Sequence, residues 1–351
     1  MFKNHLTIFL IAITSVMIYS CDIKKAGTQN ENTDEQVVNV YTHRHYEVDK
    51  QLFADFTTET GIKVNVVNAS ADELIQKMEM EGEKSPADVL ITVDAGRLHR
   101  AKEKGLIKSI KSGLLENNIP GKFRDPEGYW FGLTYRARVI VYAPDRVDPT
   151  ALTTYESLAD EKWNGKLLIR SSGNIYNQSL LASLIAANGR DEAKKWAEAV
   201  VNNLAREPKG SDRDQVKAIA SGIGDVAVVN SYYIGKLLDS KVEEEVNAGE
   251  AVQVFFPNQE GRGTHINVSG AAVANHAPNE ANAIKFIEYL SDEKAQSVFA
   301  GANFEYPVKP GIKFASLLDA WGTFKSDSVN LSVLGENNRD AVMIFDEVGW
   351  K

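Results

Sequence analysis

The segment VVNVYTHRHYEVDKQLFADF, residues 37–56, contains a strand, a polar corner and a helix in succession. The run 37–42 predicts a strand, because Val and Thr favour extended, pleated backbone. Apolar residues then recur at helical spacing, with Leu52 and Phe56 on one face. Between the two elements lies HRHY (43–46), which packs two imidazoles, a guanidinium and a phenol into one turn. The segment therefore predicts a βα unit whose connecting corner is rich in groups that bind or ionise.

The same order of strand and helix continues through the first third of the chain. Such alternation predicts a parallel sheet that is covered by helices on both faces. A longer strand at 130–145 carries Arg136 and Arg138, which share one face because they are two residues apart. This strand follows the first α/β unit, where we expect the chain to cross into a second lobe. The repeated elements are strands at 62–68 and 87–94 and helices at 71–82 and 95–105.

A second α/β unit follows the long strand. We expect a two-lobed α/β protein with hinge strands and an interlobe cleft, since the units of a (β/α)₈ barrel would recur more evenly. The predicted strands are 164–172, 224–230, 251–257 and 264–274, and the predicted helices are 175–189, 191–204, 211–222, 231–240, 278–301 with a break near Ser291, and 340–350.

Composition excludes several classes of protein. The 351 residues are 43% hydrophobic, which is enough for a packed core and for two domains. The net charge of −9 argues against a nucleic-acid partner, because no basic excess exists to neutralise phosphates. Cys21 is the single cysteine, so disulfides are ruled out within the chain and a thiolate metal site is disfavoured.

The first 20 residues are typical of an export signal. Lys3 supplies a positive start, and the apolar stretch 6–19 is too short to span a bilayer comfortably. IYSC (18–21) resembles a bacterial lipobox, which predicts that Cys21 is lipidated and becomes the mature N-terminus; the alternative is ordinary signal cleavage nearby. Residues 21–36 are polar and lack apolar periodicity, which predicts a flexible tether.

Tyrosines collect at three βα corners. Tyr46, with His45 beside it, lies just past one predicted strand, Tyr176 past a second, and the pair Tyr232 and Tyr233 past a third. Ligands of open α/β sheets bind beyond the carboxyl ends of the strands. We therefore expect the three corners to converge across a cleft.

Four phenols and an imidazole favour a hard, highly charged cation. Ionising one tyrosine at neutral pH costs about 4 kcal/mol, so four cost roughly 16 kcal/mol, and a divalent ion offsets this poorly. A trivalent ion dominates the local electrostatics, and Fe³⁺ is the biological candidate. Fe³⁺ with four phenolates and neutral His45 leaves a charge of −1, which Arg136 or Arg138 could balance. Alternatively, fewer tyrosines ionise, or an arginine holds a synergistic anion such as carbonate.

Six segments carry a resemblance to a known family, the periplasmic ferric iron-binding proteins, which are the solute receptors of iron ABC importers. The resemblance covers nearly the whole chain after residue 36, and the spacing of Tyr46, Tyr176 and Tyr232 is similar to that family's ligand spacing. The segments are HRHY (43–46), TVDAGRL (92–98), YRARVIVY (135–142), SSGNIYNQSL (171–180), NSYYIGKL (230–237) and PNQEGRGTHINVSG (257–270).

This resemblance implies a type II periplasmic-binding-protein fold. One lobe would comprise 37–135 plus about 258–305, and the other 136–257 plus about 306–351. The resemblance also implies a set of iron ligands, with Arg136 or Arg138 serving an anion or charge compensation. The implied ligands are His45, Tyr46, Tyr176, Tyr232 and Tyr233.

A protein of this family is a binding protein and not an enzyme. The resemblance implies that it captures Fe³⁺ and delivers it to the transmembrane subunit and ATPase of an ABC permease. We expect a monomer in the periplasm or cell envelope, held at a membrane by the lipid on Cys21.

Two other functions remain open from the residues alone. The same fold could receive an organic solute, such as a polyamine, an organic anion or a sugar phosphate, since aromatic rings and arginines suit those ligands too. An exported enzyme is the other alternative. The chain contains no G-x-S-x-G, H-E-x-x-H, P-loop or dinucleotide fingerprint, although a glycosidase-type carboxylate pair would leave no such motif.

Overall fold

The computed structural model describes residues 36–44 and 46–351. The predicted signal at 1–20, nearly all of the tether, Cys21 and His45 lie outside the described residues. Within the described ranges, no helix combines the length and the apolar character that crossing a membrane requires.

Strands and helices alternate along the described chain, as the sequence predicts. The strands are β1 Val37–Thr42, β2 Lys63–Asn68, β3 Val89–Val93, β4 Phe131–Tyr142, β5 Leu167–Leu168, β6 Val226–Asn230, β7 Gln253–Phe255, β8 Ile266–Val273 and β9 Tyr306–Pro307. The helices are α1 Glu47–Thr60, α2 Ala71–Glu81, α3 Ala95–Glu103, α4 Gly113–Asn118, α5 Ile175–Asn188, α6 Arg190–Asn202, α7 Asp212–Ala220, α8 Tyr232–Leu238, α9 Glu243–Glu250, α10 Glu280–Ser291, α11 Glu293–Ala302, α12 Ser316–Ala320, α13 Ser332–Glu336 and α14 Asn338–Val348. Short 3₁₀ turns occupy Gly82–Lys84, Gly121–Phe123, Pro149–Ala151, Glu156–Ala159 and Glu161–Trp163.

The strands form one mixed sheet in the order β2-β1-β3-β8-β4-β6-β5, with β7 and β9 also paired to β4. Pairing is parallel from β2 through β1 to β3 and again between β5 and β6. The expectation of a parallel sheet is wrong at its centre, where β8 runs antiparallel to both β3 and β4. The reason is that β4 leads out of the first α/β unit and β8 returns beside it, so the two strands run in opposite directions.

Strand β4 is shared by the two halves of the sheet. Its first part, Phe131–Ala137, pairs with β8, and its second part, Arg138–Tyr142, pairs with β6. Arg136 lies opposite Asn267 on the β8 side and Arg138 lies opposite Asn230 on the β6 side. Strand β4 therefore places both arginines where its pairing changes from β8 to β6. The exact lobe boundaries stay a prediction.

Two helix predictions near the end of the chain are confirmed. The break expected near Ser291 falls at Asp292, which separates α10 from α11. Helix α14 covers most of the segment predicted as the closing helix. The predicted core face of α1 is also confirmed: Phe56 is buried and packs edge-to-face on Phe286 of α10, with ring centres 5.0 Å apart.

The strand predicted at 164–172 is shorter than expected, since only Leu167–Leu168 pairs as β5. The carbonyls that follow are taken by side chains from the next helix instead of by a neighbouring strand. Asn177 donates to the carbonyls of Arg170 and Ser171 at 2.6 and 3.1 Å. These bonds fix the loop that leads into α5, and with it the first turn of that helix.

Candidate metal centre

The Tyr46 corner is held by buried ion pairs. Arg44 donates from Nε to Asp49 in the first turn of α1, at 3.1 Å, and from Nη1 to Glu305 at 3.1 Å. The Tyr46 backbone N–H donates to the same Asp49 carboxylate at 3.4 Å. The Arg44 guanidinium carbon lies 5.1 Å from the centre of the Tyr46 ring, within cation–π range. These contacts fix the direction in which Tyr46 leaves the end of β1.

Tyr176 lies in the first turn of α5. The Asn174 side chain caps this helix by accepting the Tyr176 backbone N–H at 3.1 Å. An Asn at this position satisfies one of the unpaired amides of a helix start. Because Asn177, one residue on, binds the preceding loop, the Tyr176 ring is presented from a rigid turn.

Tyr232 and Tyr233 open α8 directly after β6. The preceding Ser231 donates its backbone N–H to the carbonyl of Ala137 at 2.9 Å, and its hydroxyl accepts the Ala137 N–H at 3.3 Å. Strand β4 therefore fixes the start of α8. The two tyrosine rings lie 4.1 Å apart between centres.

The structure brings the four predicted tyrosines together. The hydroxyl oxygens of Tyr176 and Tyr232 are 3.5 Å apart. Lys236, one turn after Tyr232, places its Nζ 3.7 Å from the centre of the Tyr46 ring and 5.3 Å from that of Tyr232. Three separate βα corners thus meet at one place, as expected from the sequence. The fifth predicted ligand, His45, lies outside the described residues.

Burial makes Tyr46, Tyr232 and Tyr233 weaker acids than an exposed tyrosine. It raises the pKa of Tyr46 to about 12, with the Glu305 carboxylate adding to the shift and Arg44 opposing it. Burial also raises the pKa values of Tyr232 and Tyr233 above the ordinary value, and Tyr176 adds to both shifts. Unionised phenols are therefore the resting form of these three residues at neutral pH, and a bound cation would have to displace their protons.

The two predicted arginines differ in their partners. Arg138 pairs with Asp212 at 3.1 Å and donates to Asn177 at 2.8 Å. Arg136 is 1% exposed, yet its Nε, Nη1 and Nη2 make no hydrogen bond to the described part of the chain. The guanidinium carbons of Arg136 and Arg138 lie 5.5 and 5.9 Å from the centre of the Tyr176 ring. Of the two, Arg136 has all of its nitrogen donors without a hydrogen bond to the described residues, whereas Arg138 has only its Nε in that state.

Sequence reasoning missed two residues near the tyrosines. Burial lowers the pKa of Lys236 to about 8; its spacing of four from Tyr232 on a predicted helix is a signal that could have placed it there. Burial opposes ionisation of Glu305, but Arg44 and Arg136 hold its pKa below the usual range. No local pattern marks Glu305, because the two arginines that act on it, Arg44 and Arg136, lie far away in the sequence.

Other candidate sites are less suited to a metal. Among the described residues, no three His, Cys, Asp or Glu side chains form a group that could hold an ion. A cavity of about 580 Å³ is lined by residues that include Glu156, Asn258, Arg262 and Asp327, and the four tyrosines are not among them. Its arginine is already engaged, since Arg262 Nη1 donates to Asp327 at 2.8 Å.

Comparison with known proteins identifies similar chains. Residues 84–321 match the family described as "Bacterial extracellular solute-binding protein". "Iron uptake protein A1" of Synechocystis sp. is 48% identical over 349 residues, covering 98% of this chain and 96% of the relative. The structure of Trichodesmium IdiA (FutA) in complex with iron and citrate has a TM-score of 0.88 at 51% identity and covers 90% of this chain and 100% of that one. The ferric binding protein from Campylobacter jejuni has a TM-score of 0.85 at 41% identity, with the same coverage. The predicted type II periplasmic-binding-protein fold is confirmed.

The buried pair of Arg138 and Asp212 yields a stability prediction. Asp212→Ala leaves a guanidinium buried without its counter-charge, so we expect the free energy of unfolding to fall by about 3–5 kcal/mol in urea titrations. The control is Glu192→Ala, which removes an exposed ion pair with Lys195 and should change stability by about 0.5 kcal/mol or less. Equal effects of the two substitutions would contradict the structural role of Asp212.

Proposed function

This chain belongs to the bacterial extracellular solute-binding protein family, and from that membership we propose that it captures Fe³⁺ and delivers it to an ABC permease. The observation that carries the proposal is the meeting of Tyr46, Tyr176, Tyr232 and Tyr233 at one place. His45 completes the ligand set. The named relatives that bind ferric iron support the choice of cargo.

The electrostatics of the site favour a trivalent ion. Ionising Tyr46 at neutral pH from a pKa of about 12 costs about 7 kcal/mol, more than an exposed tyrosine requires. A bound cation must offset this free energy of ionisation for every phenol that loses its proton. Fe³⁺ does so better than a divalent ion, because its attraction for each phenolate is larger in proportion to its charge.

Arg136 is the arginine that we assign to an anion or to charge compensation. Its buried guanidinium near the Tyr176 ring has no hydrogen bond to the described chain, whereas Arg138 is neutralised by Asp212. A planar guanidinium binds carboxylate-like oxygens in a bidentate manner, which suits carbonate or citrate. The citrate in the Trichodesmium complex supports such an anion.

The cellular setting follows from the family. We propose a monomer outside the cytoplasmic membrane that closes its two lobes on iron and then docks on the transmembrane subunit of an importer powered by an ATPase. The lipid on Cys21 stays a prediction, and the intact mass of the mature protein would show whether Cys21 carries acyl chains or the signal is cleaved without lipidation. The lobe bounds given above stay a prediction as well.

Tyr232→Phe combined with Tyr233→Phe tests the ligand assignment. We expect the wild-type protein to show a visible tyrosinate-to-iron charge-transfer band, and the double variant to lose most of it and to bind iron roughly 100-fold more weakly or worse. The phenyl rings remain, so a solute that stacks on ring faces would still bind.

The control for this experiment is Tyr289→Phe. It also removes one phenol oxygen, and the Tyr289 hydroxyl makes no hydrogen bond within the described chain. The band and the iron affinity should be unchanged in this variant. A colourless wild-type protein after iron addition would contradict the proposal.

Iron affinity should fall as the pH falls. Because Tyr46 has a pKa of about 12 before iron binds, it is protonated throughout the physiological range, and each ionised ligand releases one proton on binding. The association constant should decrease up to tenfold per pH unit for each such ligand. Competition with a chelator of known proton stoichiometry between about pH 5.5 and 7.5 measures the slope. A slope of zero would mean that no phenol ionises.

Arg136→Gln tests the anion. We expect carbonate to strengthen iron binding by the wild-type protein and to have little effect on this variant. Arg170→Gln is the matched control, since the Arg170 guanidinium carbon also lies 5.8 Å from the Tyr176 ring centre but the side chain is only half-buried. Wild-type affinity that does not respond to carbonate or citrate would remove the anion from the proposal.

A further inference from the structure

Phe304 adopts an unusual backbone conformation beside α8, the helix that Tyr232 and Tyr233 open. Its φ is +54°, in the left-handed region that bulky side chains rarely occupy. Such conformations persist only where the surrounding contacts hold them, and they cluster at functional sites. Contacts with the surrounding chain, and not the intrinsic backbone preference of Phe, therefore hold Phe304 in this conformation.

The neighbouring residue, Glu305, anchors the Phe304 loop through hydrogen bonds. Its carboxylate accepts hydrogen bonds from Asn303 at 2.7 Å, from Ser269 at 3.1 Å and from Arg44 at 3.1 Å. Arg44 is the same side chain that pairs with Asp49 in the Tyr46 corner. The Phe304 loop is thus tied by buried charges to the segment that carries Tyr46.

On its other side, Phe304 rests on α8. A β-carbon at Gly235 would lie 2.4 Å from Cγ and 2.7 Å from Cβ of Phe304. The first side-chain atoms of Phe304 therefore pack directly against the backbone of Gly235. These atoms belong to the root of the side chain, and a rotamer change cannot move them far. Only glycine allows this approach at position 235.

We propose that Phe304 is a positioning residue for iron binding, because it sets the distance between α8 and the Tyr46 corner. Gly235 follows Tyr232 by three residues in the same helix, so a shift of this contact moves the tyrosine pair. Arg44 and Glu305 carry the other end of the contact to Tyr46. This inference rests on the proposed function, since it concerns the geometry of the same ligand set.

Metal ligation tolerates little error in the position of the ligands. A helix displaced by even 1 Å would separate the Tyr176 and Tyr232 hydroxyls, which now lie 3.5 Å apart. The strained backbone of Phe304 would then hold α8 at a fixed distance from the Tyr46 corner.

Gly235→Ala and Phe304→Gly, alone and combined, test the contact. We expect Gly235→Ala to weaken iron binding at least tenfold by chelator competition, because the added methyl group forces Phe304 and α8 apart. Phe304→Gly should weaken it about threefold or more by removing the contact. In the double variant the methyl group meets neither the ring nor the β-carbon of residue 304, so the affinity should return to that of Phe304→Gly alone.

The sign of the stability change gives a second readout. Ala is a better helix former than Gly, so Gly235→Ala should raise the melting temperature in the Phe304→Gly background and lower it in the wild-type background. Gly301→Ala in α11 is the matched control. That glycine lies three residues from Phe304, and a β-carbon there meets nothing within 4 Å. Its iron affinity should equal that of the wild type.

The outcomes separate this inference from the proposed function. If the wild type binds iron and Gly235→Ala binds it equally well, or if Phe304→Gly fails to rescue Gly235→Ala, the positioning role is wrong. If Gly235→Ala does not fold, unchanged affinity in Phe304→Gly overturns the role by itself. If the wild type binds no iron, the proposed function fails. Hydrogen exchange of the α8 amides then decides on the contact: faster exchange in Gly235→Ala that the double variant reverses supports it, and equal exchange overturns it.

Discussion

Four phenol groups at one partly buried site can ionise together only when a larger positive charge enters with them. Burial and mutual repulsion raise the pKa values of Tyr46, Tyr232 and Tyr233, so the empty arrangement is neutral and stable. The low dielectric constant around these residues also strengthens the attraction between a cation and each phenolate once the phenol protons have left. The surrounding ion pairs follow the same constraint, because the buried charges of Arg44 and Arg138 are balanced by carboxylates and not by water.

Strand β4 provides the frame in which this balance is reached. It pairs with β8 through its first part and with β6 through its second, and it fixes the start of α8 through Ser231. Arg136 and Arg138 stand at the change of partner. One of them is neutralised by Asp212, and the other keeps its donors without a hydrogen bond to the described chain. The sheet topology thus delivers to the same tyrosine one guanidinium that is paired with a carboxylate and one whose donors make no hydrogen bond within the described residues.

The sequence predicted the parts of the site that depend on local pattern. Tyr46, Tyr176 and Tyr232 each follow a strand and precede a helix, and that placement alone indicated a common edge. It could not predict that β8 would run antiparallel, because both directions satisfy the same apolar pattern. Glu305 was missed for a similar reason, since its bonds to Arg44 and Ser269 join segments far apart in the chain. Residues that act through long-range contacts carry no periodic signal.

Charge balance also links the proposed anion to the number of ionised tyrosines. Arg44 lies between two carboxylates, Asp49 and Glu305, which leaves that group at −1, and Arg138 is matched by Asp212. Fe³⁺ with four phenolates adds a further −1. The positive charges of Arg136, which acts on Glu305, and of Lys236, 3.7 Å from the centre of the Tyr46 ring, balance these two units. Adding a carbonate dianion to that set would leave two uncompensated negative charges in a buried space, which is strongly unfavourable. An anion on Arg136 therefore requires that a phenol stay protonated or leave the metal, and the two modes of binding exclude each other.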